Sequence, residues 1–244
     1  MFVTLDVVKT RRLVLRALPV DAPGLRYARV LLGGAGDEVH RPWQNRPTTL
    51  RWTARRRDGW GRPDPRRLML LACWQDDALP LPAGELLGVS LREAWRARLE
   101  RLGSHGTIDG TDPFADTATD RAGCAGRRGV TLTYGNGNKH VLDFLRRTNQ
   151  VVEKTHQTPG LLASCNMFDR RGKGLWTFSC WDDLGAAMEM LYADPEHRQA
   201  IRLARDGFYG AEMWFARLAL VDSHGTIAGR DPFAAPRSLA HGTS

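Results

Sequence analysis

Hydrophobic and polar positions in the carboxy-terminal half of the chain switch between two periods. Positions 130–134 (Val-Thr-Leu-Thr-Tyr) alternate as a half-buried strand does. Between 140 and 155, apolar residues recur at Val141, Leu145 and Val152, the spacing of one helix face, and Pro159-Gly160 ends that pattern. Strand-like runs at 161–168 and 175–181 flank a charged, glycine-bearing turn at 169–174. Asp182 or Asp183 then stands as an N-cap before the apolar face Leu184, Ala187, Met188 and Leu191. Asp194-Pro195 interrupts that helix as a fresh cap and first-turn proline. The helix resumes through Ile201 and Leu203, and 213–221 is the last strand. The order is βαββαβ, the ferredoxin-like unit.

The amino-terminal half repeats these signals. Residues 95–115 (WRARLERLGSHGTIDGTDPFA) and 214–234 (WFARLALVDSHGTIAGRDPFA) are identical at 14 of 21 positions. Cys73-Trp74 pairs with Cys180-Trp181, Pro23-Gly24-Leu25 with Pro159-Gly160-Leu161, and Val3-Thr4-Leu5 with Val130-Thr131-Leu132, all in the same order. The chain therefore reads as α+β, with two tandem ferredoxin-like units closing into one intrachain, pseudo-dimeric α/β barrel. The first unit spans 1–115, 116–128 is a linker rich in Ala, Gly and Arg, and the second unit spans 129–244. The first copy is degraded. Its first helix, near 11–18, is short; a basic insertion occupies 41–67; and Pro80 and Pro82 delay its second helix.

Composition narrows the function classes. No apolar run approaches the roughly 18 residues of a membrane span, and the first residues lack the order of a signal peptide, so a cytoplasmic protein is expected. The four cysteines have no CxxC or Cys/His spacing, so they read as buried thiols rather than disulfides or a zinc site. The net charge of +8 gathers between Arg51 and Arg67, with Trp52 and Trp60 interleaved. That run admits a nucleic-acid-binding module, but arginine is spread along the whole chain, which favours a solvated insertion loop.

The order Pro-Gly, strand, Trp-Asp at a helix start and Asp-Pro within it resembles the antibiotic-biosynthesis-monooxygenase units of the dimeric α/β-barrel superfamily. Ser-His-Gly-Thr-Ile-x-Gly-x-Asp-Pro-Phe, at 104–114 and 223–233, is similar to the closing motif of spheroidene-monooxygenase-like proteins. His105 and His224 stand where that motif has Arg, and Ile108 and Ile227 where it has Trp. Gly33-Gly34-Ala35-Gly36-Asp37 resembles the Gly-rich turn after their second strand. The resemblance implies an oxygenase, with a heme in the carotenoid-oxidising relatives.

A heme needs an axial donor in an apolar cleft between sheet and helices. His197, just after the Asp-Pro break, is the first candidate. Heme-binding members of the superfamily place their ligand on that helix about one turn later, at the position of Ala200, and residues three apart share a helix face. His156 is the alternative iron ligand. His40 is a candidate distal polar group. Arg217 is a candidate partner for a heme propionate or a substrate carboxylate if its face of the strand is covered. His105 and His224, each at a strand end beside Gly, read as structural residues of the repeated motif that satisfy backbone carbonyls in the turn. No Ser/His/Asp or Cys/His constellation supports hydrolysis. The expectation is a heme-dependent oxidative enzyme acting on an apolar or aromatic small molecule, as a monomer or homodimer. The alternatives are a cofactor-free monooxygenase or cyclase on the same fold, and the basic binding module.

Overall fold

The computed structural model describes residues 1–11, 22–34, 63–76, 78–115, 122–136, 139–140, 157–169, 174–209, 212–226 and 229–234, with 143, 146, 147, 150, 151, 154 and 155. Eight strands run in the order β1 (Phe2–Thr10), β2 (Leu25–Gly34), β3 (Pro63–Trp74), β4 (Leu91–Gly106), β5 (Gly129–Gly135), β6 (Leu161–Asp169), β7 (Leu175–Trp181) and β8 (Met213–Gly225). The helices are α1 (Ala83–Leu87), α2 (Leu184–Ala193) and α3 (Pro195–Arg205). Every described position between 143 and 157 is also helical. No helix among the described residues is long and apolar enough to cross a membrane.

The strands close into one antiparallel barrel, β1-β3-β2-β6-β7-β5-β8-β4. Each half contributes four neighbouring strands in the same internal order, the fourth, first, third and second of its own sequence. The halves meet along β4 and β8 over eleven register pairs, and along β2 and β6 over three. Alternate residues of every strand fill the interior, where Trp95, Phe114, Trp176, Phe178, Trp214 and Phe233 join one core drawn from both halves. Trp95 stacks on Phe178 and Phe233 at centroid distances of 6.4 and 6.1 Å, and Trp176 lies 5.8 Å from Trp214. Arg29 pairs with Asp169 across the β2–β6 seam and with Asp109 at 2.8 Å, 5.7 Å from the Tyr134 and Trp176 ring centroids. The barrel is thus a packed core with no central channel.

The repeated closing motif joins the halves. Asp112 accepts from Ser104 Oγ and Phe114 N of its own motif at 2.7 and 2.9 Å, and from Trp214 Nε1 of the other half at 2.8 Å. Asp231 repeats the pattern with Ser223 Oγ, Phe233 N and Trp95 Nε1 at 2.8, 3.0 and 2.9 Å. Outside these clasps, Glu212 accepts from Thr107 Oγ1 and Asp109 N, and Glu93 from Thr226 Oγ1 and Gly229 N. The strands approach so closely there that a Cβ on Gly106 (φ +88°) would sit 1.9 Å from Met213 O, and one on Gly225 2.2 Å from Ala94 O. Only glycine fits both the φ and the gap.

Three expectations need correction. The basic insertion does not extend to Arg67, because β3 begins at Pro63. Both neighbours pair with that segment (Lys9 with Arg67, Gly33 with Asp64), and the prolines sit at the strand's start, where a missing N–H is tolerated. Gly33 and Gly34 end β2 rather than forming the turn after it. The last strand runs to Gly225 rather than 221, and β4 likewise reaches Gly106, so His105 and His224 are the penultimate residues of β4 and β8. At the start of β5, Arg128 bonds Asp182 and Phe233 O. The short helix expected near 11–18, and 35–62 with most of the basic run, lie outside the described residues apart from Arg11. The caps are as expected: Asp183 accepts from Gly185 N and Ala186 N, and Asp194 accepts from His197 N with Pro195 in the first turn.

Candidate functional site

In the carboxy-terminal half, the outer face of the sheet carries polar side chains under helices. Register aligns Ser164 (β6), Ser179 (β7), Thr131 (β5) and Arg217 (β8) in one row across four strands. The next row is Asn166, Thr177, Thr133 and Phe215. Ser179 Oγ lies 3.3 Å from Ser164 Oγ, Thr177 Oγ1 donates to Asn166 Oδ1 at 3.1 Å, and Trp181 Nε1 donates to Thr131 Oγ1 at 3.0 Å. Above this floor lie Val151 and Thr155, Met188 and Leu191 of α2, and His197, Ala200, Ile201 and Ala204 of α3. The space between is a cavity of about 480 Å³, within the size range of small-molecule sites. His105 to Thr107, from the other half, and Glu212 close one end.

The amino-terminal half has the same rows with other contents. Ala28, Ala72, Thr4 and Arg98 replace the first row; Val30, Leu70, Asp6 and Arg96 replace the second. Its floor packs against α1 through Leu68, Leu70, Ala72 and Trp74. Where the other half has Thr133 and Phe215, Arg96 Nε donates to Asp6 at 2.6 Å, and Arg96 Nη2 reaches Leu81 O at 2.6 Å. Burial pushes the Asp6 carboxyl up, against the pull of Arg96. An ion pair and a proline-bearing strand of chain therefore occupy the space that is open in the other half.

The predicted site residues fall as follows. His197 lines the cavity near the start of α3, on the same face as Ala200. Burial lowers its imidazole below the usual 6.5, leaving a neutral ring with a free nitrogen lone pair at pH 7. Arg217 points to the helix side of β8, opposite to Ala216 and Leu218 in the barrel core, and is 2% exposed. Its Nη1 lies 3.7 Å from Met188 Sδ, and its Nε has no hydrogen-bond partner. Its guanidinium is 5.9 Å from the Phe215 ring centroid. Arg98, its counterpart, is exposed and lies 4.4 Å over Phe2. His105 lines the cavity beside Phe215 at 5.4 Å. His40 and His156 lie outside the described residues.

These groups fit a heme on the chemistry of the donors. A neutral imidazole sits in an otherwise largely apolar roof, and the exposed Arg205 among the cavity-lining residues supplies positive charge for its carboxylates. Sequence reasoning missed the polar floor. The signal was present: Thr-x-Thr at 131 and 133, Ser-x-Asn at 164 and 166, and Thr-x-Ser at 177 and 179 put hydroxyls and an amide on one face of three strands.

No protein-family model matches the chain. A curated relative, spheroidene monooxygenase of Rhodobacter capsulatus, is 27% identical over 154 residues, covering 57% of this chain and 61% of the relative. The chain thus spans less than two thirds of that protein's length. Among solved structures, aldoxime dehydratase superposes with a TM-score of 0.41 at 9% identity, covering 91% of this chain and 82% of its own. A ferredoxin-fold protein of Listeria monocytogenes related to antibiotic biosynthesis monooxygenases gives 0.34 at 10% identity, covering 91% and 95%. Over those 154 residues this chain is similar to spheroidene monooxygenase.

Proposed function

We propose that this protein is a monooxygenase-like oxidoreductase that binds heme and a small, largely apolar or aromatic substrate in the cavity of its carboxy-terminal half. The observation that carries the proposal is the position of His197: a neutral imidazole in the roof of a cleft whose counterpart in the other half is filled. His197 would hold the iron, and Arg217 a negative charge. The residues of the chain do the rest. The Asp194 cap fixes the first turn of α3 and so the height of His197. Ser164, Ser179, Thr131 and Thr133 present hydroxyls to whatever lies on the floor, while Met188, Leu191 and Ile201 exclude water from above. Bound heme would supply the electron and oxygen chemistry that side chains lack.

The test is a hemin titration of the purified chain followed by absorption. A Soret band that appears in the wild type, and is lost or shifted in His197→Ala, is the expected result; no Soret band in the wild type removes the heme. A cofactor-free oxygenase or cyclase acting in the same cavity survives that outcome, since the hydroxyl floor can orient an oxygenated ligand without iron.

A further inference from the structure

Arg217 ends the row Ser164–Ser179–Thr131, set back from the cavity behind Met188, and is 2% exposed. The fold does not require its burial, because Arg98 at the same point of the other half is exposed. In the carboxy-terminal half, α2 lies over the guanidinium, yet among the described residues no carboxylate pairs with it. A thioether sulfur is a weak acceptor, and an arginine keeps its charge when buried, so the group is held ready for an anion. Thr131 Oγ1 already accepts from Trp181 Nε1, which leaves its hydroxyl hydrogen to donate next to Arg217 in the same row. Met188, unbranched and flexible, holds its sulfur 3.7 Å from Nη1 and itself lines the cavity.

We propose that the ligand of this cavity is a carboxylic acid, its flat apolar body under Met188 and Leu191 and its carboxylate on Arg217 and Thr131. The inference rests on the cavity being the ligand site, and it narrows the substrate from an apolar molecule to an amphipathic acid. Heme propionates offer the same chemistry. The exposed Arg205 on α3 is placed for groups that reach solvent, whereas Arg217 follows Thr131 in the hydroxyl row behind Met188 and is open to a carboxylate that displaces that flexible side chain, which assigns it to the substrate.

The test uses the full chain and two probes of one shape, 2-naphthoate and its methyl ester, followed through quenching of tryptophan emission, since Trp181 lines the cavity. Wild type should bind the acid at least about tenfold more tightly than the ester, the scale of a buried charge-assisted hydrogen bond. In Arg217→Met, which removes an uncompensated buried charge at similar volume, the preference should fall to within about twofold. Should that variant not fold, Arg217→Lys, which keeps the charge but loses the fork, should weaken the preference instead. Equal binding of acid and ester by wild type, or an undiminished preference in Arg217→Met, overturns the proposal. Binding of neither probe overturns it together with the cavity as a ligand site, whereas an intact acid preference without a Soret band overturns the heme alone. A parallel titration with hemin and hemin dimethyl ester separates the sources: an Arg217 effect confined to that pair assigns the carboxylate to the cofactor and defeats the proposal.

Discussion

Replacing Asp112 by alanine removes three hydrogen bonds to one carboxylate, from Ser104 Oγ, Phe114 N and Trp214 Nε1. Trp214 is 1% exposed, so its indole N–H would be stranded in the core. A stranded buried donor costs about 1–3 kcal/mol, and a bond to a charged acceptor is worth about 1.5–3 kcal/mol. The three donors share one acceptor, so the losses overlap, and the expected total is about 3–5 kcal/mol. At this chain length that is a fall in Tm of about 8–15 °C. In urea the midpoint should drop with the slope unchanged, because the extent of buried surface stays the same. Trp214→Phe removes the donor and shrinks the ring, and the double variant should show about 1–3 kcal/mol of coupling. The same change at Asp231, with Trp95 as partner, should match within about a factor of two, because the geometry is repeated. A loss below about 1 kcal/mol for Asp112→Ala, or additive effects in the cycle, would show that the clasp is ornamental.

Three further outcomes can be checked. Because burial lowers the His197 imidazole, the unfolded chain takes up a proton below about pH 6.5 that the folded chain refuses. Stability should therefore fall as pH drops below that value until the folded group itself protonates. His197→Gln should flatten that part of the urea-midpoint profile, and an unchanged profile counts against the buried placement. Asp6→Ala removes the buried carboxylate from a partly exposed Arg96 that keeps its bond to Leu81 O, and should cost about 1–3 kcal/mol, while Asp6→Leu with Arg96→Leu should be close to neutral in thermal unfolding. Gly106→Ala should shift thermal unfolding down sharply, since its Cβ meets Met213 O at 1.9 Å; a wild-type Tm would contradict the close approach of β4 and β8.

Local signals made much of the fold legible. Asp183, and Asp194 with Pro195, announce the starts of α2 and α3 because capping is a contact within four residues. The ladder order follows from the βαββαβ pattern, since connections in such units leave few alternatives. Strand ends were less legible, because glycine at 106 and 225 serves close strand packing and so does not announce where β4 and β8 stop. The site was half visible. His197 could be named, but whether it faced water or the cavity depends on how α3 packs over the sheet. Arg217 could be assigned a face only relative to Ala216 and Leu218, and which face was inside depended on closure of the whole barrel. The Trp–Asp clasps span more than a hundred residues and leave no local trace beyond the repeat itself.

The crossed clasps have a consequence for the two parts taken separately. A fragment comprising 129–244 would keep β6, β7, β5 and β8 but lose the partners of both outer strands, β2 beside β6 and β4 beside β8. It would also expose the interior faces of Trp176, Phe178 and Trp214 and leave Trp214 without its carboxylate. An open, twisted sheet with an apolar face and two unpaired edges associates with whatever matches it. Asp231 remains in such a fragment with no Trp95 to receive, while Trp214 occupies the equivalent strand position, so a second copy carries the missing half of the lock. The covalent joining of the two halves thus turns an encounter between molecules into an intramolecular step, and frees one cleft to lose its opening while the other keeps it.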